Sequence, residues 1–287
     1  MSRIAMVGCG LLLLAAASGC GSDEWPATKE VHIGVKADQP GTGYRNGTYG
    51  EYTGFDIRIA HMTAGVLGKK AKFFDVPSDE RQTAVGSDNL VVATFSIIDD
   101  RLSGKPTGPA VDFVGPYAKT LSGILVRTGD DPGIHELSDL EGKRVCTWPG
   151  TTSGAIAPEV LPYSDLLPHY QKVEGDDAGD CVRRLAENDD VDAVFTDTLL
   201  LQGFAQEDPN LEVVKPETGT FQYYGIALPK GHRDVCEKIK EGLRQYMDSG
   251  KWDEDFATNF HSIKNKGAYK PTAGQVEKFS CQDRVGR

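Results

Sequence analysis

Short apolar segments alternate with amphipathic segments from residue 31 onward, and this alternation constrains the fold more than any other feature of the chain. Segments such as "VHIGVK", "AKFFDV", "NLVVATF", "LSGILVR", "GKRVCTW", "DAVFT" and "YYGIAL" have the length and composition of strands. Between them, apolar residues recur at helical spacing, as in Phe55, Ile59, Met62 and Val66. Strands that alternate with helices predict an α/β fold with largely parallel sheets.

Two amphipathic segments near the C-terminus predict further helices. "RDVCEKIKEGLRQYMDSG" places Val235, Ile239 and Leu243 on one stripe, and "WDEDFATNF" spaces its aromatic residues four apart. The segment after Phe260 lacks clear periodicity, and we expect Cys281 to hold it in place.

The size and charge of the chain restrict its function. With 287 residues, 39% of them hydrophobic, the chain is long enough for two domains of ordinary size. The mean hydropathy is −0.36, and no apolar run is long enough to cross a bilayer. The formal net charge of −11 argues against nucleic acid as a partner. An acidic ligand would therefore need a local cluster of cations.

The N-terminus has the features of a targeting signal. In "MSRIAMVGCGLLLLAAASGC", Arg3 precedes an apolar core and small residues that end at Cys20. We interpret residues 1–20 as a secretory signal peptide with a lipobox-like end, Cys20 as the lipidated residue of a bacterial lipoprotein, and residues 21–27 as a flexible leash. The alternative is an ordinary secreted protein that is cleaved nearby.

The remaining cysteines predict disulfide bonds rather than a metal site. Cys9 leaves with the signal peptide and Cys20 carries lipid, so four cysteines remain, and these allow three pairings. They form no CxxC motif, and the histidines show no ligand spacing. We therefore predict neither a metal nor a cofactor.

Several segments, taken in their order, resemble a known family. "IGVKADQPG", "ATFSIIDDR", "GPAVDFVGPY", "PGTTSGA", "YGIALPKG" and "KWDEDFATNF" are similar to segments of the extracellular solute-binding proteins of polar amino acid ABC importers. The likeness is greatest to actinobacterial glutamate-binding lipoproteins and covers residues 30–262. It implies the two-lobed type 2 periplasmic binding protein fold, with mostly parallel central sheets.

The resemblance also implies a division of the chain into lobes. Lobe one would comprise residues 28–122 and 224–287, and lobe two residues 123–223. "LSGILVR" and "QYYGIALPK" would be the two hinge strands, and the lobes would close over a ligand in the cleft between them.

We favour disulfide bonds that stay within a lobe, because a bond between lobes would restrict closure. Cys146 would then pair with Cys181 in lobe two, and Cys236 with Cys281 in lobe one.

An amino acid in the cleft presents an α-carboxylate that must be paired. By resemblance, Arg101 binds it through a bidentate guanidinium, with backbone amides of Thr151 and Thr152 as further donors. The alternatives are an ion pair of Arg101 with Asp99 or Asp100, and plain helix capping in "PGTTSGA".

The α-ammonium needs acceptors. By resemblance, Asp197 in "AVFTDTLLL" forms a salt bridge with it, and the carbonyls of Ala93 or Thr94 and the Ser96 hydroxyl complete the shell. Without the family, Asp197 is equally well explained as the N-cap of the helix that follows.

Two cations and a hydroxyl indicate an acidic substrate. In binding proteins for acidic amino acids, the places of Lys36, Ser78 and Arg81 contact the distal carboxylate. The alternatives are a solvated Lys36 and an Arg81 paired with Asp79 or Glu80. The resemblance thus predicts a monomer, lipid-anchored on the extracellular face of the cell membrane, that delivers L-glutamate or a related amino acid to permease subunits. A dehydratase on the same fold and a ligand-presenting sensor are the alternatives.

Overall fold

A computed structural model describes residues 25–86, 88–97, 111–129, 133–153, 169–187, 190–215 and 217–282. The strands are β1 (Glu30–Val35), β2 (Asp38–Gln39), β3 (Gly43–Arg45), β4 (Tyr52–Thr53), β5 (Lys70–Asp75), β6 (Asn89–Val91), β7 (Val111–Arg127), β8 (Arg144–Thr147), β9 (Gln171–Glu174), β10 (Ala193–Asp197), β11 (Leu211–Val213) and β12 (Thr218–Pro229). The helices are α1 (Phe55–Leu67), α2 (Arg81–Ala84), α3 (Ala178–Glu187), α4 (Thr198–Glu207), α5 (Arg233–Asp248), α6 (Lys251–Asn259) and α7 (Ala273–Phe279).

Parallel strand pairs lie on both sides of a long antiparallel pair. The larger sheet runs in the order β5-β1-β6-β12-β7-β10-β8-β9, and β11 also pairs with β7. β1 is parallel to β5 and β6, and β8 is parallel to β9 and β10, whereas β7 and β12 are antiparallel to each other. The α/β class and the mostly parallel pairing that the alternation predicts are confirmed.

β7 extends further than the sequence indicated. Residues 111–117, which are part of "GPAVDFVGPY", belong to the same strand as "LSGILVR". A proline disrupts a regular ladder, and Pro116 is accommodated after a cis peptide bond, opposite a register shift between Tyr224 and Ile226 of β12. The apparent break in the pattern is therefore an irregularity inside one long strand.

Buried apolar residues form separate clusters on the two sides of β7 and β12. The largest packs β1 and α1 against α5 and α6, with Ile59, Ile239 and Trp252 fully buried. Another joins β8, α3 and α4, and includes Leu185 and Leu201. These clusters are consistent with two lobes, although the lobe boundaries remain a prediction. None of the helices in the described parts of the chain could span a membrane.

Both favoured disulfide bonds are present. Cys146 and Cys181 have Cα atoms 5.6 Å apart, and those of Cys236 and Cys281 are 5.8 Å apart. Cys281 follows α7, a helix that the sequence analysis missed because its seven residues are too few to show a period. The bond fastens this C-terminal segment to α5, as expected.

We predict that replacing Cys236 and Cys281 together with serine lowers the free energy of unfolding by about 2–4 kcal/mol, because the bond closes a long loop in the unfolded chain. The sequence separation is 45 residues. Urea denaturation without reductant measures the change. The same pair of proteins compared in reductant is the control, since the difference should then largely disappear. An unchanged unfolding midpoint without reductant would contradict the prediction.

Candidate functional site

A small cavity lies where the two lobes meet. Its volume is about 20 Å³, close to the space that one water molecule requires. Residues from both predicted lobes line it: Gln39, Ser78, Arg81, Thr94 and Ser96 from the predicted lobe one, and Trp148, Thr151, Thr152, Thr196, Asp197 and Leu200 from the predicted lobe two. Most of the polar residues that the sequence singled out therefore lie around one small cavity: Ser78, Arg81, Thr94, Ser96, Thr151, Thr152 and Asp197.

Direct hydrogen bonds join the lobes beside this cavity. Arg81 Nη2 donates to the Gly150 carbonyl at 2.6 Å, and Trp148 Nε1 donates to Ser78 Oγ at 3.3 Å. Gly150 has a φ of +76°, and a Cβ there would lie 2.2 Å from the Asp79 nitrogen. Only glycine fits this approach, so the "PGTTSGA" turn is shaped for contact with the opposite lobe.

Asp197 ends β10 and projects its carboxylate into the cavity. Tyr224 Oη donates to its Oδ2 at 2.6 Å. Asp197 does occupy the N-cap position of α4, as the alternative predicted, but its side chain accepts no hydrogen bond from the helix. Thr120 Oγ1 accepts from the Leu199 N–H instead. Burial raises the pKa of Asp197 to about 6, although the Tyr224 hydrogen bond and the Arg81 charge both act to lower it. No cation in the described parts of the chain forms an ion pair with this carboxylate.

Arg81 fills the centre of the site. Its Nε donates to the Ser78 carbonyl at 2.9 Å, and Nη1 donates to the carbonyls of Ala93 and Thr94 at 3.2 and 2.7 Å. The guanidinium also lies 5.1 Å from the centre of the Phe95 ring. Arg81 is buried at 8% exposure, so pairing with Asp79 or Glu80, the alternative from the sequence, is not what holds it.

The Ala93 and Thr94 carbonyls are hydrogen-bonded to Arg81 in this structure. The resemblance predicts that one of them also accepts from the ligand's ammonium, and this stays a prediction because each carbonyl oxygen has a second lone pair. A buried guanidinium has five N–H donors to satisfy, and these carbonyls satisfy part of that requirement. Ser96 does line the cavity, and its backbone pairs with Tyr224.

Lys36 and Ser78 form the other cationic part of the site. Lys36 is only 2% exposed, so a solvated role is wrong. Its Nζ donates to the Val76 carbonyl and to Ser78 Oγ, both at 3.2 Å, and it lies behind Ser78 rather than on the cavity wall. Burial lowers the pKa of Lys36, and the neighbouring Asp38 opposes this shift.

The contacts of Ser78 indicate which way its hydroxyl proton points. Ser78 Oγ accepts from both Lys36 Nζ and Trp148 Nε1. A hydroxyl accepts two hydrogen bonds and donates one. Since no described residue accepts from Ser78 Oγ, the proton is free to be donated into the cavity. The site thus offers an oriented donor to an acceptor atom of a ligand.

Of the remaining predicted residues, some line the cavity and others lie outside the described parts of the chain. Thr151 and Thr152 line the cavity, and Thr151 Oγ1 donates to the Trp148 carbonyl at 2.9 Å. The helix expected after them would begin within 154–168, which lies outside the described residues. Arg101 and Cys20 also lie outside the described residues, so their roles remain predictions.

A carboxylate that was not predicted from the sequence, Asp56, lies behind the cavity wall. Asp56 accepts from the Thr94 N–H at 2.7 Å and from Tyr117 Oη at 2.9 Å. Thr94 has a φ of 45°, which is unusual for a β-branched residue and needs such support. Gln39 Oε1 accepts from Thr94 Oγ1 at 3.0 Å. The position of Asp56 next to Phe55, on the buried side of α1, was the sequence feature that could have indicated a buried structural carboxylate.

The described residues contain no group of three or more His, Cys, Asp or Glu side chains placed to hold a metal ion. Their arrangement can instead pair an ammonium with Asp197 and an anionic or polar group with Arg81 and Ser78. This is a binding chemistry for a small zwitterion.

Comparisons with known proteins agree with this chemistry. The model of bacterial extracellular solute-binding proteins, family 3, matches residues 31–262. The glutamate-binding protein GluB of Corynebacterium glutamicum is 32% identical over 83% of this chain and 82% of its own length. The glutamine-binding protein GlnH of Bacillus subtilis is 29% identical over 88% of this chain and 93% of its own length. An ancestral arginine-binding protein, solved bound to glutamine, superposes with a TM-score of 0.67 at 28% identity, over 81% of this chain and 98% of its own.

Proposed function

Because the chain belongs to family 3 of the bacterial extracellular solute-binding proteins, we propose that it binds glutamate and delivers it to an ABC permease. Its type 2 periplasmic binding protein fold agrees with the prediction from the sequence. The chain is therefore a substrate-binding protein of an amino acid ABC transporter. Glutamate as the ligand and delivery to a permease are our proposals.

Asp197 is the observation that carries the proposal. A buried carboxylate costs free energy unless it is paired. Asp197 has a tyrosine hydroxyl as its neighbour and no ion-pair partner in the described parts of the chain, and it faces the cavity. An α-ammonium of an amino acid would supply the missing charge. Asp197 would therefore bind the α-ammonium group, which all amino acids share.

We propose that Arg81, Ser78 and Lys36 bind the acidic side chain of the ligand. Arg81 and Lys36 are both buried and are joined through Ser78, whose carbonyl accepts from one and whose hydroxyl accepts from the other. A distal carboxylate that displaces the backbone carbonyls from Arg81 would gain a charge-assisted, bidentate partner. Glutamate is also the ligand named for the GluB relatives.

Binding requires the site to open or to rearrange. The cavity holds about 20 Å³, far less than an amino acid occupies, and Arg81 bridges the two lobes. We propose that opening about β7 and β12 breaks the Arg81–Gly150 contact, and that the closed complex forms again around the ligand.

A thermal unfolding panel tests the function. Each of the twenty amino acids is added in turn, and a ligand that binds the folded state raises the midpoint by mass action. We expect the largest rise for glutamate, a smaller one for aspartate, and little change for apolar amino acids. A panel in which no amino acid raises the midpoint would contradict the proposal.

Ser78→Ala should weaken glutamate binding by about tenfold, because it removes one charge-assisted hydrogen bond to the distal carboxylate. The expected loss for alanine as a ligand is small, since its side chain does not reach this pocket. Thr83→Ala is the control, because Thr83 is exposed on α2 and bonds only the nearby Glu80 carbonyl. Titration calorimetry measures both. Equal losses for glutamate and alanine would show that Ser78 acts on the fold rather than on the side chain.

We also propose that Cys20 carries lipid and anchors the protein to the extracellular face of the membrane. The lipobox-like "AASGC" and the polar leash after it support this. A Cys20→Ala variant should move from the membrane fraction to the soluble fraction, as followed by immunoblotting. Unchanged retention in the membrane would contradict the anchor.

A further inference from the structure

The Asp38 carboxylate contacts both Lys36 and the start of α3. One of its carboxylate oxygens lies 3.2 Å from Lys36 Nζ, and the other accepts from the Ala178 N–H at 3.1 Å. Asp38 belongs to β2 in lobe one, and Ala178 is the first residue of α3 in lobe two. The carboxylate thus spans the boundary between the lobes, next to the proposed distal pocket.

The Asp38–Lys36 pair is largely shielded from water. The side chain of Lys36 is 3% exposed and that of Asp38 is 17% exposed. Charges at such a depth interact more strongly than surface charges do. Asp38 is the carboxylate that forms an ion pair with Lys36 in the described structure, so it supplies the negative charge that a ligand would otherwise supply.

The charge of the distal pocket therefore depends on Asp38. Arg81 and Lys36 bring two positive charges to Ser78, and Asp38 offsets one of them. A distal carboxylate then meets one positive charge fewer than it would without Asp38. A distal amide, as in glutamine, is disfavoured less than it would be without Asp38.

We propose that Asp38 is a specificity-determining residue, an internal carboxylate that neutralises Lys36 and so limits the preference of the pocket for a dicarboxylic amino acid over its amide. This inference rests on the proposed function. It predicts that removing the charge of Asp38 sharpens selectivity for glutamate, because the distal carboxylate then becomes the main counter-ion of Lys36.

The contact of Asp38 with α3 affects lobe closure, and this effect can be measured separately from the effect of the Asp38 charge on Lys36. The bond between Asp38 and the Ala178 N–H connects the two predicted lobes, so we expect it to favour closure around any ligand. Its loss should weaken glutamate and glutamine equally, by about 2- to 5-fold, as expected for a carboxylate at a helix N-terminus. The ratio of the two affinities isolates the charge effect.

Asp38→Asn is the direct test, since the amide keeps an acceptor for Ala178 and removes the charge. Titration calorimetry gives the dissociation constants for glutamate and glutamine. We expect the preference for glutamate over glutamine to rise about tenfold in the variant, from one strengthened buried charge pair. Asp79→Asn is the matched control, because Asp79 is exposed beside Ser78, and its ratio should stay unchanged.

The same substitution made in a Lys36→Met variant shows whether Asp38 changes the glutamate-to-glutamine preference through Lys36. If Asp38 acts through Lys36, then Asp38→Asn should leave the ratio unchanged when Lys36 is already absent. Asp38→Ser, which also keeps an acceptor, serves as the second variant if the asparagine form does not fold. A ratio that stays the same or falls in Asp38→Asn, with amino acid binding intact, overturns this inference alone. A wild-type protein that binds no amino acid overturns the proposed function as well.

Discussion

Asp197→Asn should weaken binding of every amino acid by about 2–5 kcal/mol, or about 30- to 4000-fold, because it leaves the α-ammonium in a closed cleft without its counter-ion. Tyr224 can still donate to the amide oxygen, so the packing around residue 197 is kept. Titration calorimetry with glutamate, aspartate and glutamine should show the same loss for all three. A loss confined to one ligand would contradict the role of Asp197 as the ammonium partner.

The same variant should be more stable than the wild type near neutral pH. Burial raises the pKa of Asp197 to about 6, from an ordinary value of 3.8. A raised carboxyl pKa means that ionisation costs more in the folded state than in the unfolded chain, and this cost is fully present above pH 6. The gain from Asp197→Asn should therefore disappear below pH 3.8, where the carboxyl is protonated in both states. Glu207→Gln, at the exposed end of α4, is the control and should change neither binding nor stability.

The affinity of the wild type should also fall as the pH decreases through 6, because an ammonium requires the ionised form of Asp197. One unit below that pKa, about a tenth of the carboxyl is ionised, so affinity should drop about tenfold. Asp197→Asn should lack this dependence. A wild-type affinity that is constant across this range would show that Asp197 does not pair with the ligand.

Arg81→Ala should have the second large effect, on both stability and selectivity. Arg81 donates to carbonyls of Ser78, Ala93, Thr94 and Gly150, and its removal leaves these groups without that donor. Unsatisfied buried carbonyls cost about 1–3 kcal/mol each, so the free energy of unfolding should fall by at least about 3 kcal/mol. Glutamate affinity should fall about 100-fold, and glutamine affinity by less.

Arg81→Lys separates charge from geometry. Lysine keeps the positive charge but cannot make the forked contacts of a guanidinium. We expect it to recover part of the glutamate preference and little of the lost stability, as measured by calorimetry and urea denaturation. Arg244→Ala, a half-exposed arginine on α5, is the control for a change of net charge. Equal losses for glutamate and glutamine in Arg81→Ala would contradict a role in side-chain recognition.

Local patterns predicted much of the fold, and the resemblance to solute-binding proteins predicted several members of the site. Helical spacing identified α1, α5 and α6, and the apolar runs identified most strands of the larger sheet. Ser78, Arg81 and Asp197 line the cavity, and Lys36 lies directly behind it. These residues follow strands or begin turns, where side chains of parallel sheets converge.

The contacts that long-range folding creates were not predictable from local patterns. Tyr224 reaches Asp197 because β12 and β10 both flank β7, a pairing that spacing along the chain does not reveal. Asp38 meets α3 across 140 residues of sequence. Trp148 was not singled out from the sequence, yet its indole nitrogen crosses the cleft to Ser78.

Titration calorimetry of the wild type with glutamate, aspartate, glutamine and arginine tests the central claim most directly. The account predicts one site per chain, with glutamate bound most tightly and aspartate weaker, because the shorter side chain leaves the cations around Ser78 less well paired. Glutamine should be weaker than glutamate, because its amide cannot pair with Arg81, and arginine weakest, because it adds a third cation beside Arg81 and Lys36. Arginine or glutamine binding as tightly as glutamate would contradict the assignment of an acidic substrate.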